Sequence, residues 1–547
     1  MRAAVSALLL CLLGLSADRL PARAEARASA LSGRISSVEE GPMEGVLVSA
    51  RREGSPITVT VVTDADGRYR FPAGRLSAGR YTLGVRAVGY ELAAPRTAEV
   101  AAATTVVSDL RLRRVSDLAA QLTSTEWLMS MPGTAEQKRP LIECMSCHTL
   151  ERALRSHYDA DTMFRALQRM PHYANNTTVQ RVQKRIADRH VNEEQLRRTA
   201  EYLASVNLGH GAWPFELKTL PRPKGRATRV IITEYDLPRA TIAPHDVRTD
   251  AQGFVWYSSF VENFLGRLDP RTGAHVEFAY PRVKPGSPTG SLALELDEDG
   301  NFWLATMFQS GLMRFDTKTL TFRHFPVPAA LDSDAMQQSL VMPGRAHVDG
   351  KVWTNDVNRG AILRLDVASG NYELFDPFVG RKGTQHSPYG LAADAQNNLY
   401  FMDFAGESIG RVDAKTGRSV IYPTPTPRSR PRRTMMDAQG RVWFAEFAAN
   451  KVAMFDPARE AFREWEVPTP HTYPYDVFLD RYGELWSGSM SSDRVLRFDP
   501  QSGAAIEYLL PRQTNIRRIF VDDATRPPAI WIGSNHGASI IRLEPAD

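Results

Sequence analysis

Seven short segments constrain this chain more than anything else in it. Leu265-Gly266-Arg267-Leu268-Asp269, Leu312-Met313-Arg314-Phe315-Asp316, Ile362-Leu363-Arg364-Leu365-Asp366, Ile409-Gly410-Arg411-Val412-Asp413, Val452-Ala453-Met454-Phe455-Asp456, Val495-Leu496-Arg497-Phe498-Asp499 and Ile540-Ile541-Arg542-Leu543-Glu544 recur every 43 to 50 residues. Each follows an aromatic strand position, at Trp256, Trp303, Trp353, Tyr400, Trp443, Trp486 and Trp531, which is preceded by a turn such as Asp250-Ala251-Gln252-Gly253. A unit of short strands repeating at this period cannot bury its apolar face alone, and the period is that of a propeller blade. Every copy but the last is followed by one more strand ending near proline, as in Thr321 to Pro326 and Glu464 to Pro468. Ile231 to Pro238 is expected to supply the last copy's outer strand, closing the ring and hiding its edges. Residues 230–547 are therefore predicted to form a seven-bladed β-propeller.

A second feature bears on chemistry. Cys144-Met145-Ser146-Cys147-His148 has the spacing that attaches a c-type haem, with two thioether-forming thiols and a proximal imidazole. Zinc sites and dithiol redox centres also use CxxC. Residues 1–24 carry Arg2, an apolar run from Val5 to Leu15 and small residues around Ala22-Arg23-Ala24, the pattern of a secretory signal. A periplasmic or secreted protein is expected, with no integral membrane span after signal cleavage. Because Cys11 lies in that signal, the exported chain keeps only Cys144 and Cys147. A single CxxC followed at once by histidine, in an oxidising compartment, favours covalent haem c over a disulfide framework or zinc. The net charge of +5 is small, and no basic run is interleaved with aromatics, which argues against nucleic acid.

The rest of the chain divides around these features. Residues 31–115 alternate apolar and polar positions between turn formers, and Asp64 and Asp66 read as turn residues ahead of Gly67 rather than calcium ligands. Thr63 to Phe71, Gly79 to Leu83 and Ala87 to Glu91 give the order DxDGxYxF, GxYxL and GYE, which resembles the carboxypeptidase regulatory-like family. That resemblance implies a transthyretin-like β-sandwich, a spacer or adhesion module without catalytic residues. Residues 116–132 read as a connector, and 133–210 as a small all-α unit, with helices starting after Asp159 and at an Asn192/Gln195 capping box. This unit resembles cytochrome c domains in its order of motif and helices. Met170, held beside Pro171, is the sixth-ligand candidate, with His157, His172 and His190 as alternatives. Residues 211–229, rich in Pro, Lys and Arg, read as a linker. The blades, with Trp443-Phe444-Ala445-Glu446, resemble the streptogramin B lyase-like (virginiamycin B lyase-like) propellers. This implies acidic and histidine residues facing the axis around a divalent metal such as magnesium, with Glu446 as the direct match.

Aligning the blades on their aromatic residue gives a column three positions on: Ser259, Thr306, Asp356, Asp403, Glu446, Ser489 and Ser534. Asp356, Asp403 and Glu446 are candidates for a divalent cation; the competing reading is that the column holds turns. Loops ahead of the inner strands supply His245, His386, Arg433, His471 and Arg517. His245, His386, Glu446 and His471 are the candidate catalytic set, and the arginines suit an anionic small-molecule substrate. The chain thus reads as a multidomain, mainly β protein with two functional classes open. One is an exported c-type cytochrome, an oxidoreductase or electron-transfer protein, passing electrons to a partner protein or external acceptor. The other is a metal-dependent lyase or a non-catalytic binding propeller.

Overall fold

The computed structural model describes residues 29–546 apart from 103, 188–190, 208–212, 214 and 382–384. The signal-like segment and His190 lie outside the described residues. The fold is mainly β, with six separate four-stranded sheets and a seventh blade of strands Ile516–Asp522, Ala529–Ser534, Ser539–Pro545 and Val230–Asp236. The last of these pairs antiparallel with Ser539–Pro545, from Val230↔Pro545 to Asp236↔Ser539, so the ring closes as the repeat predicts.

The repeat has a local physical cause. In four blades the turn aspartate accepts the indole N–H of the tryptophan six residues on: Asp250–Trp256 at 2.7 Å, Asp297–Trp303 at 2.9 Å, Asp437–Trp443 at 2.7 Å and Asp480–Trp486 at 2.9 Å. In most blades the tryptophan stands opposite the arginine of the repeated segment, as in Trp303↔Arg314, Trp353↔Arg364 and Trp486↔Arg497, while Trp443 stands opposite Met454. Those guanidinium carbons lie 5.8, 4.7 and 5.4 Å from the ring centroids. Each pair joins cation–π attraction to cross-strand packing, so the arginine stem covers an otherwise exposed aromatic face. Glycines in these strands give the neighbouring strand's rings room: a Cβ on Gly410 would lie 2.1 Å from Cζ of Phe401. Gly410→Ala is expected to cost about 1–3 kcal/mol in urea unfolding, the usual penalty of overpacking a filled core.

The N-terminal strands form a sandwich. Asp64 accepts backbone N–H groups of Asp66 at 3.0 Å and Arg68 at 2.9 Å, and Gly67 adopts φ +73°, so this is a turn with its carboxylate already engaged. The sandwich is not hung on a free tether. Its strand Ile57–Val62 pairs with Val230–Asp236, on the edge opposite Ser539–Pro545, making one eight-stranded sheet that runs from blade 7 into the sandwich. Arg75 forks onto Glu544 at 2.8 and 3.0 Å, and Arg51 reaches Asp236 at 2.6 Å across this joint. The outer edge of blade 7 is thereby covered rather than left as a template for pairing.

The intervening segment is helical but is not a separate globule. Its helices are Ser124–Ser130, Ala160–Arg169, Glu193–Val206 and several single turns. The Asp159 N-cap forms as expected, whereas Asn192 only accepts from the Gln195 N–H, the first half of the expected box. Trp127, Leu128, Met145, Leu150 and Leu203 share one apolar core with propeller residues Phe260, Met307, Phe447 and Tyr475. The segment lies across the propeller face where the second-to-third-strand turns and the inter-blade loops emerge. It bonds to blade 1 through Asn176 and Phe260 O (3.1 Å), to the next loop through Asn176 and Thr289 O (2.7 Å), and to blade 6 through the Thr125 N–H and Ser491 O (3.2 Å). An Arg430–Glu143 ion pair at 3.0 Å ties down the opposite side. Far from a loose linker, the chain beyond Trp213 runs back over the cap: Trp213 packs on Trp127 with centroids 4.7 Å apart, and the Leu220 N–H donates to Glu126 at 2.8 Å. No described helix is long and apolar enough to cross a membrane.

Candidate axial site beneath the helical cap

The residues at the propeller axis come from one recurring irregularity. The pairing between the inner strand and its neighbour slips between Pro244 and Val247, Pro388 and Leu391, Pro431 and Thr434, and Ile516 and Ile519. A bulge re-aims the residues within it. These are His245-Asp246, Tyr389-Gly390, Arg432-Arg433 and Arg517-Arg518, and Tyr475-Asp476 follows Pro474 in blade 6.

Contacts sort by position in the bulge. First-position residues meet one another: Tyr389 and Tyr475 share a hydroxyl hydrogen bond of 2.6 Å, and His245 lies 5.9 Å from the Tyr475 ring. Arg432 sits 3.8 Å from the centroid of Tyr475, 4.2 Å from Phe404 and 4.4 Å from Phe447, an aromatic box for one cation. Second-position residues form a buried charge network below. Arg433 donates to Asp246 at 2.7 Å with both side chains 1% exposed, and Arg518 reaches Glu295, which also takes Arg248. Asp476 accepts from the Ile519 N–H at 2.8 Å, and its burial raises its pKa to about 6.

His245 links the layers. Its Nδ1 donates to Asp246 at 2.7 Å, leaving Nε2 a buried lone pair without a partner. Burial lowers its pKa to about 3, so the ring is neutral and its tautomer is fixed by the carboxylate. A neutral imidazole oriented in this way has the form of a general base.

The CxxCH segment is seated above this layer. The Ser146 carbonyl accepts from Arg517, whose guanidinium lies 4.6 Å from the Phe260 ring, and from His536 at 3.4 Å; the Met145 carbonyl accepts from Asn515 at 3.1 Å. Cys144 and Cys147 are free thiols, and burial pushes Cys144 up to about 12. A dithiol redox centre needs the opposite shift. His148 Nδ1 bonds the Thr149 carbonyl at 2.8 Å, which leaves Nε2 for another ligand. The void beside His148 is about 10 Å³ and is lined by Met490, Asn515 and His536 from the propeller. Met170 is not among its lining residues and is 42% exposed.

Other predicted positions serve their own blades. Asp403 holds His386 Nδ1 at 2.6 Å and the Ser387 N–H at 2.9 Å, while His386 stacks on Phe378 at 3.8 Å. Asp356 accepts the N–H groups of Gln337, Asn358 and Arg359. His471 presents its carbonyl to Thr125 of the cap. Glu446 is buried beside Glu464 and Ser429, and burial, with the Glu464 charge adding to it, raises its pKa to about 8. Among the described residues no group of three or more His, Cys, Asp or Glu side chains is placed to hold a metal ion, so Asp356, Asp403 and Glu446 do not form a common cation site here. The reading from sequence missed Tyr389, Arg432, Tyr475, Asp246 and Arg518. The signal for most of them was the proline that opens four inner strands, at Pro244, Pro388, Pro431 and Pro474.

Fold and site together define a capped seven-bladed propeller with a polar, partly unsatisfied axis, fused to a β-sandwich. The chain belongs to the virginiamycin B lyase family, whose profile matches residues 225–486 and 384–547 in two overlapping stretches; a carboxypeptidase regulatory-like domain matches residues 30–113. Similar solved structures include selenomethionine-substituted virginiamycin B lyase from Staphylococcus aureus, at 20% identity and TM-score 0.50, covering 57% of this chain and 99% of that one. A streptogramin B lyase structure follows at 21% identity and TM-score 0.50, covering 59% and 99%. The catalytically inactive histidine-to-alanine virginiamycin B lyase from Staphylococcus aureus with quinupristin follows at 19% and 0.50, covering 57% and 99%. At these identities the likeness establishes the propeller fold. No curated protein sequence matches the chain.

Proposed function

We propose that the protein is an exported c-type haem protein in which the propeller seats and insulates the haem-bearing segment and binds a small molecule or partner at its axis. The observation that carries this reading is the CxxCH segment itself, with two unbridged thiols and a histidine whose Nδ1 is tied to a carbonyl, bonded through Met145 and Ser146 to the propeller axis. The donor set fits the group: Cys144 and Cys147 are separate nucleophiles for two vinyls, and His148 Nε2 is left for iron. When bound, haem supplies one-electron redox chemistry. Cys144, Cys147 and His148 would hold the group; Met490 and His536 line the void beside His148, whereas Met170 stands away from it and is 42% exposed. The void's small volume means that the cap must part from the propeller to admit a macrocycle. Arg517, fully buried against Ser146, places positive charge beside the motif and favours the reduced state of any centre held there.

The test is the alkaline pyridine spectrum of protein exported together with haem maturation machinery. Covalent haem is expected in the wild type and none in the Cys144→Ala/Cys147→Ala variant. A colourless wild-type protein would sink the reading. A second reading, favoured by family membership and by the Glu446 match, is a lyase in the manner of the relatives. It is assayed by ring opening of quinupristin with and without magnesium, in which His245→Ala abolishes turnover if the axial imidazole is the base.

A further inference from the structure

Away from the axis, a cavity of about 280 Å³ opens where four parts of the chain meet. Arg86 comes from the sandwich, Glu126 from the first cap helix, Arg222 from the returning strap, and Arg494 and Arg512 from the propeller. Three of its four arginines are matched by carboxylates. Arg86 pairs with Asp493 at 2.7 Å, Arg222 with Glu40 at 2.5 Å, and Arg512 with Glu234 at 2.9 Å and Asp236 at 2.7 Å. Arg494 is the exception. It is 7% exposed, its Nη2 donates only to the Pro221 carbonyl at 2.7 Å, and its Nε is buried without a partner. Glu126, which shares the cavity, has both oxygens taken by the N–H groups of Leu220 and Thr123 and by the Thr123 hydroxyl.

Glu507, Glu126 and Asp493 act on Arg494 through space but none pairs with it directly, and a buried guanidinium with an unfilled donor is costly until an acceptor supplies that contact. A planar guanidinium is best matched by a planar carboxylate, and the remaining walls include Val85, Ala87, Leu220 and Leu509, which suit a short hydrocarbon body. We propose that this junction cavity binds a small organic carboxylate, with Arg494 as its counter-ion, and that the ligand fastens sandwich, cap and propeller together.

The experiment is thermal unfolding of the full chain in sodium succinate, sodium acetate or sodium phosphate against chloride at equal ionic strength, with calorimetric titration of the same anions. A saturable rise in Tm with at least one carboxylate is expected. Arg494→Lys, which keeps the charge but not the fork, should weaken binding, and Arg494→Met should weaken it by about 10- to 100-fold, as for loss of a charge-assisted hydrogen bond. Without ligand, Arg494→Met should melt close to the wild type, because no carboxylate pairs with the arginine directly and its burial is itself costly. The proposal is overturned if neither carboxylate gives a saturable response, if phosphate alone does, or if Arg494→Met responds like the wild type. A lower ligand-free Tm for Arg494→Met would assign the arginine a purely structural part and would also overturn it.

Discussion

Replacing Asp246 with alanine is expected to destabilise the chain by about 3–5 kcal/mol, read as a fall in the urea midpoint at neutral pH. The aspartate is 1% exposed and carries four obligations: Arg433 at 2.7 Å, His245 Nδ1 at 2.7 Å, the Leu294 N–H at 3.2 Å, and, through its own backbone N–H, Ser258 at 3.0 Å. Removing the carboxylate leaves Arg433 charged, 1% exposed, and already short of partners at Nε and Nη1. The double variant Asp246→Ala/Arg433→Met should recover a large part of the loss, because two neutral groups need no mutual compensation. Burial alone would raise the Asp246 pKa, but the Arg433 guanidinium and the His245 N–H hold it well below the usual carboxylate range. A carboxylate whose folded pKa is depressed contributes stability above its unfolded pKa of about 4 and loses it as the pH falls further. Acid unfolding of the wild type should therefore steepen below about pH 4, and that component should be missing from Asp246→Ala. A loss under about 1 kcal/mol at neutral pH would mean that water reaches the pair.

The contrast between what the sequence discloses and what it conceals follows from range. Blades are legible because their chemistry is local: an aromatic residue and the strand segment opposite it lie within some 20 residues and recur seven times, four of them with a turn aspartate on the indole, so the period stands out and the closing strand follows from counting. The joint to the sandwich is concealed because Ile57–Val62 alternates threonine with aliphatic residues as any half-exposed strand does, and nothing in it names the distant strand Val230–Asp236 as partner. The cap is concealed for a similar reason. Trp127 and Leu128 read as one face of a connector, and only the fold brings them onto the loops of a ring whose residues begin over 100 positions later. The axial residues are the subtlest case. Four blades present their axial residues through the same bulge, with side chains of differing type, so an alignment on the aromatic column finds the strand ends that hold turns; the inner-strand loops disclose His245 and Arg517, and Tyr389, Arg432 and Tyr475 are passed over. The common element is backbone geometry, marked in sequence by a proline at Pro244, Pro388, Pro431 and Pro474 and unmarked at Ile516.

Glu446→Gln is expected to stabilise the protein in alkali and to leave it nearly unchanged in mild acid. Burial, with the Glu464 charge alongside, outweighs Lys451 and the Ser429 hydroxyl and raises the pKa of the wild-type carboxyl to about 8. The folded state therefore holds a proton that the unfolded chain gives up at about pH 4.3. A raised folded pKa of an acid makes stability fall as the pH rises from the unfolded value toward the folded one, since the native state binds the extra proton. Glutamine is neutral throughout and escapes that loss. The variant should exceed the wild type by about 2–4 kcal/mol near pH 9 and match it within about 1 kcal/mol near pH 5, measured by urea unfolding across the range. Magnesium separates this role from a metal-binding one. A cation held by ionised Glu446 would restore the wild type at high pH and leave Glu446→Gln unmoved, whereas a carboxyl that keeps its proton through burial gives the two proteins the same small response to the salt. The second result is expected, because the neighbouring Glu464 is already occupied by Lys451 at 2.9 Å and Thr426 at 2.6 Å and offers no second ligand.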